Sequence, residues 1–227
     1  MKIIGISGKL YFNKDNQAIM QTHERIRKTF MKYDDITCLT ILPTECVDYD
    51  ALEEGVDEIN TEKMDAVLDK CDAFVIPGGS YCFKYDEYII NYAIKNDKPL
   101  LAICAGFQSF CSLFAKDRTK FDMCETKKLP NHVGTDAHQY KHKVVVKDNT
   151  LLKSIVGKNE MNVNSVHNDV VDFELKDAII NAYADDGIVE GAEYPNKKFI
   201  LALQWHPEIL LDEDSNKILD EFINRIR

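Results

Sequence analysis

The first hundred residues alternate between short, unbroken apolar runs and longer stretches whose apolar positions recur every three or four residues. Ile3–Ser7, Ile36–Leu42, Asp72–Pro77 and Pro99–Ile103 are runs of the first kind. They are too short for helices and rich in aliphatic residues, and they predict strands. Between them, Gln17–Tyr33 carries Ile19, His23, Ile26 and Phe30 at helical spacing, and Thr61–Lys70 opens on a candidate capping threonine. Tyr85–Asn96 and Ala105–Ala115 are the remaining predicted helices of this half. Apolar strands without polar alternation, each followed by a helix, predict a parallel sheet covered on both faces. The second half is richer in strand. His142–Lys147, Met161–Val166, Ala178–Ala184, Ile188–Tyr194 and Phe199–Trp205 are predicted strands, the last two joined by a hairpin turn at Pro195-Asn196. Asp212–Arg227 predicts a closing amphipathic helix with Ile218, Leu219, Phe222, Ile223 and Ile226 on its apolar side. The expected fold class is α/β: a mostly parallel central sheet, helices on both faces, and a strand-rich C-terminal half. No repeat, low-complexity tract or long linker divides the 227 residues, so 1–227 is expected to form a single domain.

The formal net charge of -10 argues against a nucleic-acid partner, which a basic face would normally announce. No apolar run approaches the roughly 18–20 residues needed to span a bilayer, so no membrane association is expected. The N-terminus runs directly into a strand pattern without the apolar core of a signal peptide. Seven scattered cysteines form no CxxC pair. That pattern disfavours a zinc or dithiol motif and points to a reducing, cytoplasmic setting. His132, His138 and His142 lie in a polar stretch with no ligand spacing and read as surface residues.

One cysteine stands apart. In Pro99-Leu100-Leu101-Ala102-Ile103-Cys104-Ala105-Gly106-Phe107-Gln108 an apolar strand ends on Cys104, and a helix follows at once. At the carboxyl end of a parallel strand and the N-terminus of a helix, a thiol meets positive partial charge that favours the thiolate, its reactive form. The same residues also fit a buried packing cysteine before a helix. Gln204-Trp205-His206-Pro207-Glu208 follows the last predicted strand. On an extended segment, residues two apart point the same way about 7 Å apart, so Glu208 could orient the His206 imidazole as the base-holding half of a triad. Read alone, the segment fits better a surface turn after an apolar strand, with His206 and Glu208 merely solvated. Pro77-Gly78-Gly79 ends the third predicted strand, where glycine N–H groups together with that of Ala105 could bind an oxyanion. Taken alone, it is an ordinary turn. Each of the three pieces supplies a different role, and each falls at a strand end.

These residues resemble those of class I glutamine amidotransferase-like proteins, within them the γ-glutamyl-γ-aminobutyrate hydrolase-like branch, peptidase family C26. The resemblance runs from Ile3-Ile4-Gly5-Ile6-Ser7 through Pro77-Gly78-Gly79, Ile103–Gln108, Val163-Asn164-Ser165-Val166-His167 and Asp186-Gly187-Ile188-Val189-Glu190 to Gln204–Glu208. It implies a flavodoxin-like sheet and a triad in which Cys104 is the nucleophile, His206 the base and Glu208 the orienting carboxylate. It further implies an oxyanion hole at Gly79 and Ala105. The γ-glutamyl pocket would be lined by Gln108, Asn164, Ser165, Val166 and His167, with His167 at the pocket edge. The implied reaction attacks a γ-glutamyl amide, releases an amine or ammonia and hydrolyses a thioester, without a cofactor. The chain departs from the branch at Ala102 and Ala105, where glycine and arginine are common, at Asp169 in place of glutamine, and in a short Ser80-Tyr81-Cys82-Phe83 loop. The departures border the pocket and bear on which amine leaves. The resemblance implies a small γ-glutamyl substrate and leaves room for a homodimer. A stand-alone hydrolase, a glutaminase subunit serving a separate synthetase partner, and a silent binding protein on the same fold all remain open. Activity is expected to need a neutral or ion-paired His206 and to fall on acidification.

Overall fold

The apolar runs of the first half form the parallel part of a nine-stranded sheet. The computed structural model describes residues 1–43, 59–79, 84–117, 132, 134 and 136–227. In chain order the elements are β1 (Lys2–Ser7), β2 (Lys9–Phe12), β3 (Ala18–Gln21), α1 (Glu24–Met31), β4 (Ile36–Ile41), α2 (Thr61–Leu68), β5 (Ala73–Ile76), α3 (Lys84–Lys95), β6 (Leu100–Ile103) and α4 (Ala105–Leu113). Then follow β7 (His142–Val146), α5 (Leu151–Val156), β8 (Glu160–Val163), β9 (Ile179–Ala184), β10 (Val189–Glu193), β11 (Ile200–Leu203), α6 (Pro207–Leu210) and α7 (Glu213–Ile226). The sheet order is β4-β1-β5-β6-β11-β10-β9-β7-β8. Pairing is parallel from β4 to β11 and antiparallel from β11 to β8. This is the expected α/β architecture with its strand-rich second half.

Successive strand residues point to opposite faces, so β5, β6 and β11 feed two cores. Val75, Leu101 and Leu201 join the core beneath α1, α5 and α7, with Phe30, Leu152 and Phe222. Phe74, Ile76, Leu100, Ala102 and Ile200 join the core beneath α2, α3 and α4, with Leu68, Ile89 and Phe107. β6 and β11 lie side by side at the centre, in register from Leu100↔Ile200 to Ile103↔Leu203. Their carboxyl ends therefore bring Cys104 and the Gln204–Glu208 segment to the same edge of the sheet.

Two expectations need correction, and one helix is new. The helix expected over Gln17–Tyr33 is a strand followed by the shorter α1, because Ala18–Gln21 pairs with Lys9–Phe12 in an antiparallel hairpin. The turn is locked by Asn13, whose side-chain oxygen accepts from the N–H groups of Asp15 (3.0 Å) and Gln17 (2.8 Å), with Asn16 at φ 57°. The N-cap of α2 is Asn60, accepting from Lys63 N at 3.1 Å, rather than Thr61. Unforeseen α5 is capped by Thr150, donates its first N–H groups, those of Leu151 and Leu152, to the Glu193 carboxylate, and ends at Gly157 with φ 69°. The short loop at Ser80–Phe83, together with Cys46, Cys82 and Cys124, lies outside the described residues.

Gly106 is required by close packing. A Cβ there would lie 2.2 Å from the carbonyl oxygen of Ile76, so α4 rests directly on the end of β5. Gly106→Ala is expected to destabilise the protein by about 1–3 kcal/mol, as overpacking against backbone does. A lowered denaturation midpoint with unchanged slope is the expected reading, and an unchanged midpoint would contradict it.

Candidate active site

Cys104 sits between β6 and α4 with φ 54° and ψ -108°, a conformation that costs a non-glycine residue energy. The chain is held there by its flanks: Cys104 N donates to Leu203 O at 2.8 Å, and Gln108 N donates to Cys104 O at 3.0 Å. The result is a sharp strand-to-helix turn that carries the thiol to a cavity wall at the N-terminus of a nine-residue helix. Other thiols are placed differently. Burial pushes Cys38 and Cys71 up to about 11, which keeps both protonated near neutral pH.

His206 and Glu208 meet, though on different backbone from that expected. Pro207 opens α6, and its fixed φ suits the first helical position. His206 is thus the residue before a helical turn, and Glu208 lies within it. His206 Nδ1 and Glu208 Oε1 are 2.8 Å apart, and both residues are buried. Asn164 clamps the His206 backbone on both sides: its Oδ1 accepts from His206 N at 2.8 Å and its Nδ2 donates to His206 O at 3.0 Å. Burial opposes charge on the imidazole, yet the Glu208 carboxylate and then the Cys104 thiolate outweigh it and hold His206 well above the ordinary imidazole range. Gly78 lies between the two groups. A Cβ on it would stand 2.9 Å from His206 Cε1 and 3.7 Å from Cys104 Sγ, so only glycine leaves the thiol and the imidazole their room.

A cavity of about 390 Å³ opens over these residues. Gly79 lines it, as does Val166, with Ile26 and Ile209 supplying apolar wall and His23 and Arg25 the polar rim. Ala105, the first residue of α4, is buried directly behind the thiol-bearing turn. Of the five residues expected to line a substrate pocket, Val166 does so. The others are turned to the scaffold. Asn164 holds His206, and the Ser165 hydroxyl donates to His132 O. Gln108 Nε2 donates to Asp169 O and Gln204 Oε1, both at 3.2 Å. His167 faces Glu190.

The structure adds residues that the sequence reading passed over. Arg25 and His23, at the start of α1, reach the cavity because the β2–β3 hairpin shortens that helix and swings its N-terminus to the sheet edge. Tyr11, on the hairpin, contacts His23 through its hydroxyl at 2.5 Å. Burial and then the charge of Cys104 raise the Tyr11 phenol, which places it within reach of the thiol's field. His132 and His142 are also corrected: they are not surface residues but pack with His167 around the buried Glu190. Glu190, 3.1 Å from Nδ1, raises His132 to about 8 against the opposing effect of burial, with Asp186 adding to the rise. Only His138 of that stretch is exposed, with Arg25 at 2.9 Å.

A mostly parallel α/β sheet thus presents a cysteine at a strained strand-to-helix turn beside a carboxylate-held histidine. The family model described as Peptidase C26 matches residues 84–208, more than half of the chain, and the protein belongs to that family of glutamine amidotransferase-like hydrolases. A Schizosaccharomyces pombe protein provisionally named a glutamine amidotransferase, PB2B2.05, is 32% identical over 143 residues, covering 60% of this chain and 54% of that protein. The CTP synthase of Sulfurisphaera tokodaii is 28% identical over 188 residues, covering 72% of this chain and 34% of that enzyme. The chain therefore spans about half of the first relative and a third of the second. Among solved structures, the glutaminase domain of Trypanosoma brucei CTPS with bound acivicin superposes with a TM-score of 0.68 at 16% identity, covering 100% of this chain and 94% of that one. Among the described residues no helix is long and apolar enough to cross a membrane.

Proposed function

We propose that the protein hydrolyses γ-glutamyl amide bonds through a γ-glutamyl thioester on Cys104, with His206 as base and Glu208 as the carboxylate that orients it. The observation that carries this reading is the strained Cys104 sharing one cavity wall with an imidazole whose Nδ1 is held 2.8 Å from a buried carboxylate. With Glu208 on Nδ1, the ring presents Nε2 to the thiol and takes its proton. The thiolate then attacks the γ-carbonyl carbon. The carbonyl π pair moves to oxygen, where the N–H groups of Gly79 and Ala105 would receive it. Collapse restores the carbonyl and breaks the C–N bond as the leaving nitrogen takes the proton from His206. Water, deprotonated by the now neutral imidazole, attacks the thioester. Glutamate leaves and the sulfur recovers the proton.

Arg25 is the cavity's arginine and suits the α-carboxylate of a γ-glutamyl group. Arg25→Ala is expected to raise KM about tenfold with little change in kcat, the size of one charge-assisted hydrogen bond. Steady-state kinetics check this, with a substrate lacking the α-carboxylate as control. An equal KM increase for that control would remove Arg25 from the role.

The likeness to CTP synthases favours a second reading, a glutaminase subunit that passes ammonia to a separate synthetase. Assay of the purified chain alone on glutamine, γ-glutamyl-amines and γ-glutamyl-amino acids separates the two. Unaided turnover of a γ-glutamyl-amine is the expected result. Activity that emerges only when a synthetase chain is added would transfer the protein to the second reading.

A further inference from the structure

Behind the cavity, three histidines from separate parts of the chain converge on one carboxylate. His132 precedes β7, His142 opens it, His167 follows the Val166 that lines the cavity, and Glu190 lies on β10. Glu190 Oε1 is 3.1 Å from His132 Nδ1, 3.4 Å from His167 Nε2 and 3.8 Å from His142 Nε2. The four ligand-type atoms all lie within 4.8 Å of one another. None of these nitrogens, and neither Glu190 oxygen, makes a hydrogen bond of ordinary geometry, although all are buried. Groups of this kind rarely stay unsatisfied in a protein interior.

The outward nitrogens explain what is missing. His167 Nδ1 lies 3.0 Å from Asp169 O, and His142 Nδ1 lies 3.2 Å from Lys143 O. A carbonyl oxygen only accepts, so each Nδ1 carries a hydrogen and each ring turns its Nε2 inward. His132 reverses the ring: Nε2 meets the Asp186 carboxylate at 2.9 Å, leaving Nδ1 inward. Three inward imidazole nitrogens thus crowd one buried carboxylate with no hydrogen bond of ordinary geometry among them. A cation that displaced any inward proton would satisfy all four groups at once. Outward hydrogen bonds to carbonyl and carboxylate oxygen are the arrangement that fixes metal-bound histidines.

We propose that His132, His142, His167 and Glu190 form a zinc site that pins the Val166 segment to the sheet beside the cavity. Zinc bonds of about 2.0–2.2 Å to nitrogen and oxygen set tetrahedral edges of about 3.3–3.5 Å, close to the spacings around Glu190 Oε1. Three imidazoles and one carboxylate suit zinc better than magnesium or calcium, which take oxygen ligands, and the set holds no thiolate for copper(I) or iron–sulfur binding. Four protein ligands in a buried place make a closed, structural site. Its effect would reach the cavity through the chain: Ser165 bonds to His132 O, Val166 lines the wall, and Gln204 N, two residues before His206, donates to Glu190 O at 2.8 Å. The absence of metal expected from the sequence is thereby replaced.

The test uses the full chain carrying Cys104→Ala, which removes the thiolate as a competing ligand and makes the outcome independent of the proposed hydrolase. Stripped protein is titrated with zinc against a chromophoric chelator, and zinc retained after gel filtration is measured by elemental analysis. One tightly held zinc per chain is expected, with a higher thermal midpoint on loading and a tetrahedral visible spectrum when cobalt(II) replaces zinc. His132→Ala and Glu190→Gln should abolish that binding. Asp186→Asn, at a partly exposed position behind His132, should weaken it about 10–100-fold. Absence of stoichiometric zinc binding, or binding undiminished in His132→Ala, overturns the proposal. If His132→Ala and Glu190→Gln do not fold, unchanged affinity in Asp186→Asn overturns it.

Discussion

Cys104→Ala is expected to lower turnover of γ-glutamyl amides by about 10⁴-fold or more, the scale on which removing a nucleophile from a triad acts. The substitution deletes one sulfur atom and keeps the Cβ, so packing around the turn barely changes. The backbone strain at φ 54° remains, because alanine bears it as cysteine does. Melting temperature should therefore hold or rise slightly, since functional residues are seldom the most stabilising choice. Wild-type protein should form a covalent adduct with a γ-glutamyl electrophile, visible as a mass increase, and the variant should not. Retained turnover in Cys104→Ala would remove Cys104 from the mechanism. Failure of the wild type to form the adduct would favour a binding protein on this fold.

Glu208→Gln is expected to cost roughly 10³–10⁴-fold, because the amide keeps the shape of the contact while removing the charge that steadies the imidazolium and its tautomer. The pH dependence gives a sharper reading. Burial lowers the His206 pKa, but Glu208 and Cys104 raise it further, to well above the ordinary value. Once protonated, the imidazole thus holds its proton to higher pH than a free imidazole does. Wild-type activity should show no step near pH 6.5, where an unperturbed imidazole titrates, and should decline on the alkaline side as His206 loses the proton that the leaving amine requires. Any stability this charge contributes has the same sign: it is complete below the unfolded imidazole pKa and is lost as pH rises through the raised folded value. Glu208→Gln removes the larger raising influence, so its alkaline limb should move to lower pH. A limb that stays in place would show that Glu208 does not set the charge of His206.

Much of this site was legible because its parts are local. The Ile103-Cys104-Ala105-Gly106 and Trp205-His206-Pro207-Glu208 segments each follow a short apolar strand, and chemistry at a strand end depends on few neighbours. Even there the local geometry differed. Pro207 starts a helix, so His206 and Glu208 meet across a helical turn and not along an extended strand. The β2–β3 hairpin was illegible for a related reason. Ile19, His23, Ile26 and Phe30 satisfy helical spacing, but the pairing partner of Ala18–Gln21 is Lys9–Phe12, and a Lys9–Asp86 ion pair buried in the interior anchors that strand. Periodicity does not register a partner strand or a buried charge, and with the hairpin went Tyr11, His23 and Arg25.

The sequence by itself determined the α/β alternation, the turn that carries Cys104, and the pairing of an imidazole with a carboxylate, because strand length, glycine and proline act within a few residues. Only the tertiary structure decided which distant groups meet. Asn164 serves His206 instead of lining the cavity, and His132, His142 and His167 gather on Glu190 although nothing in their spacing links them. Those contacts arise when β6, β11 and β10 come to lie side by side. Convergence across a sheet is set by strand order and register, which are long-range properties that no short stretch of chain encodes.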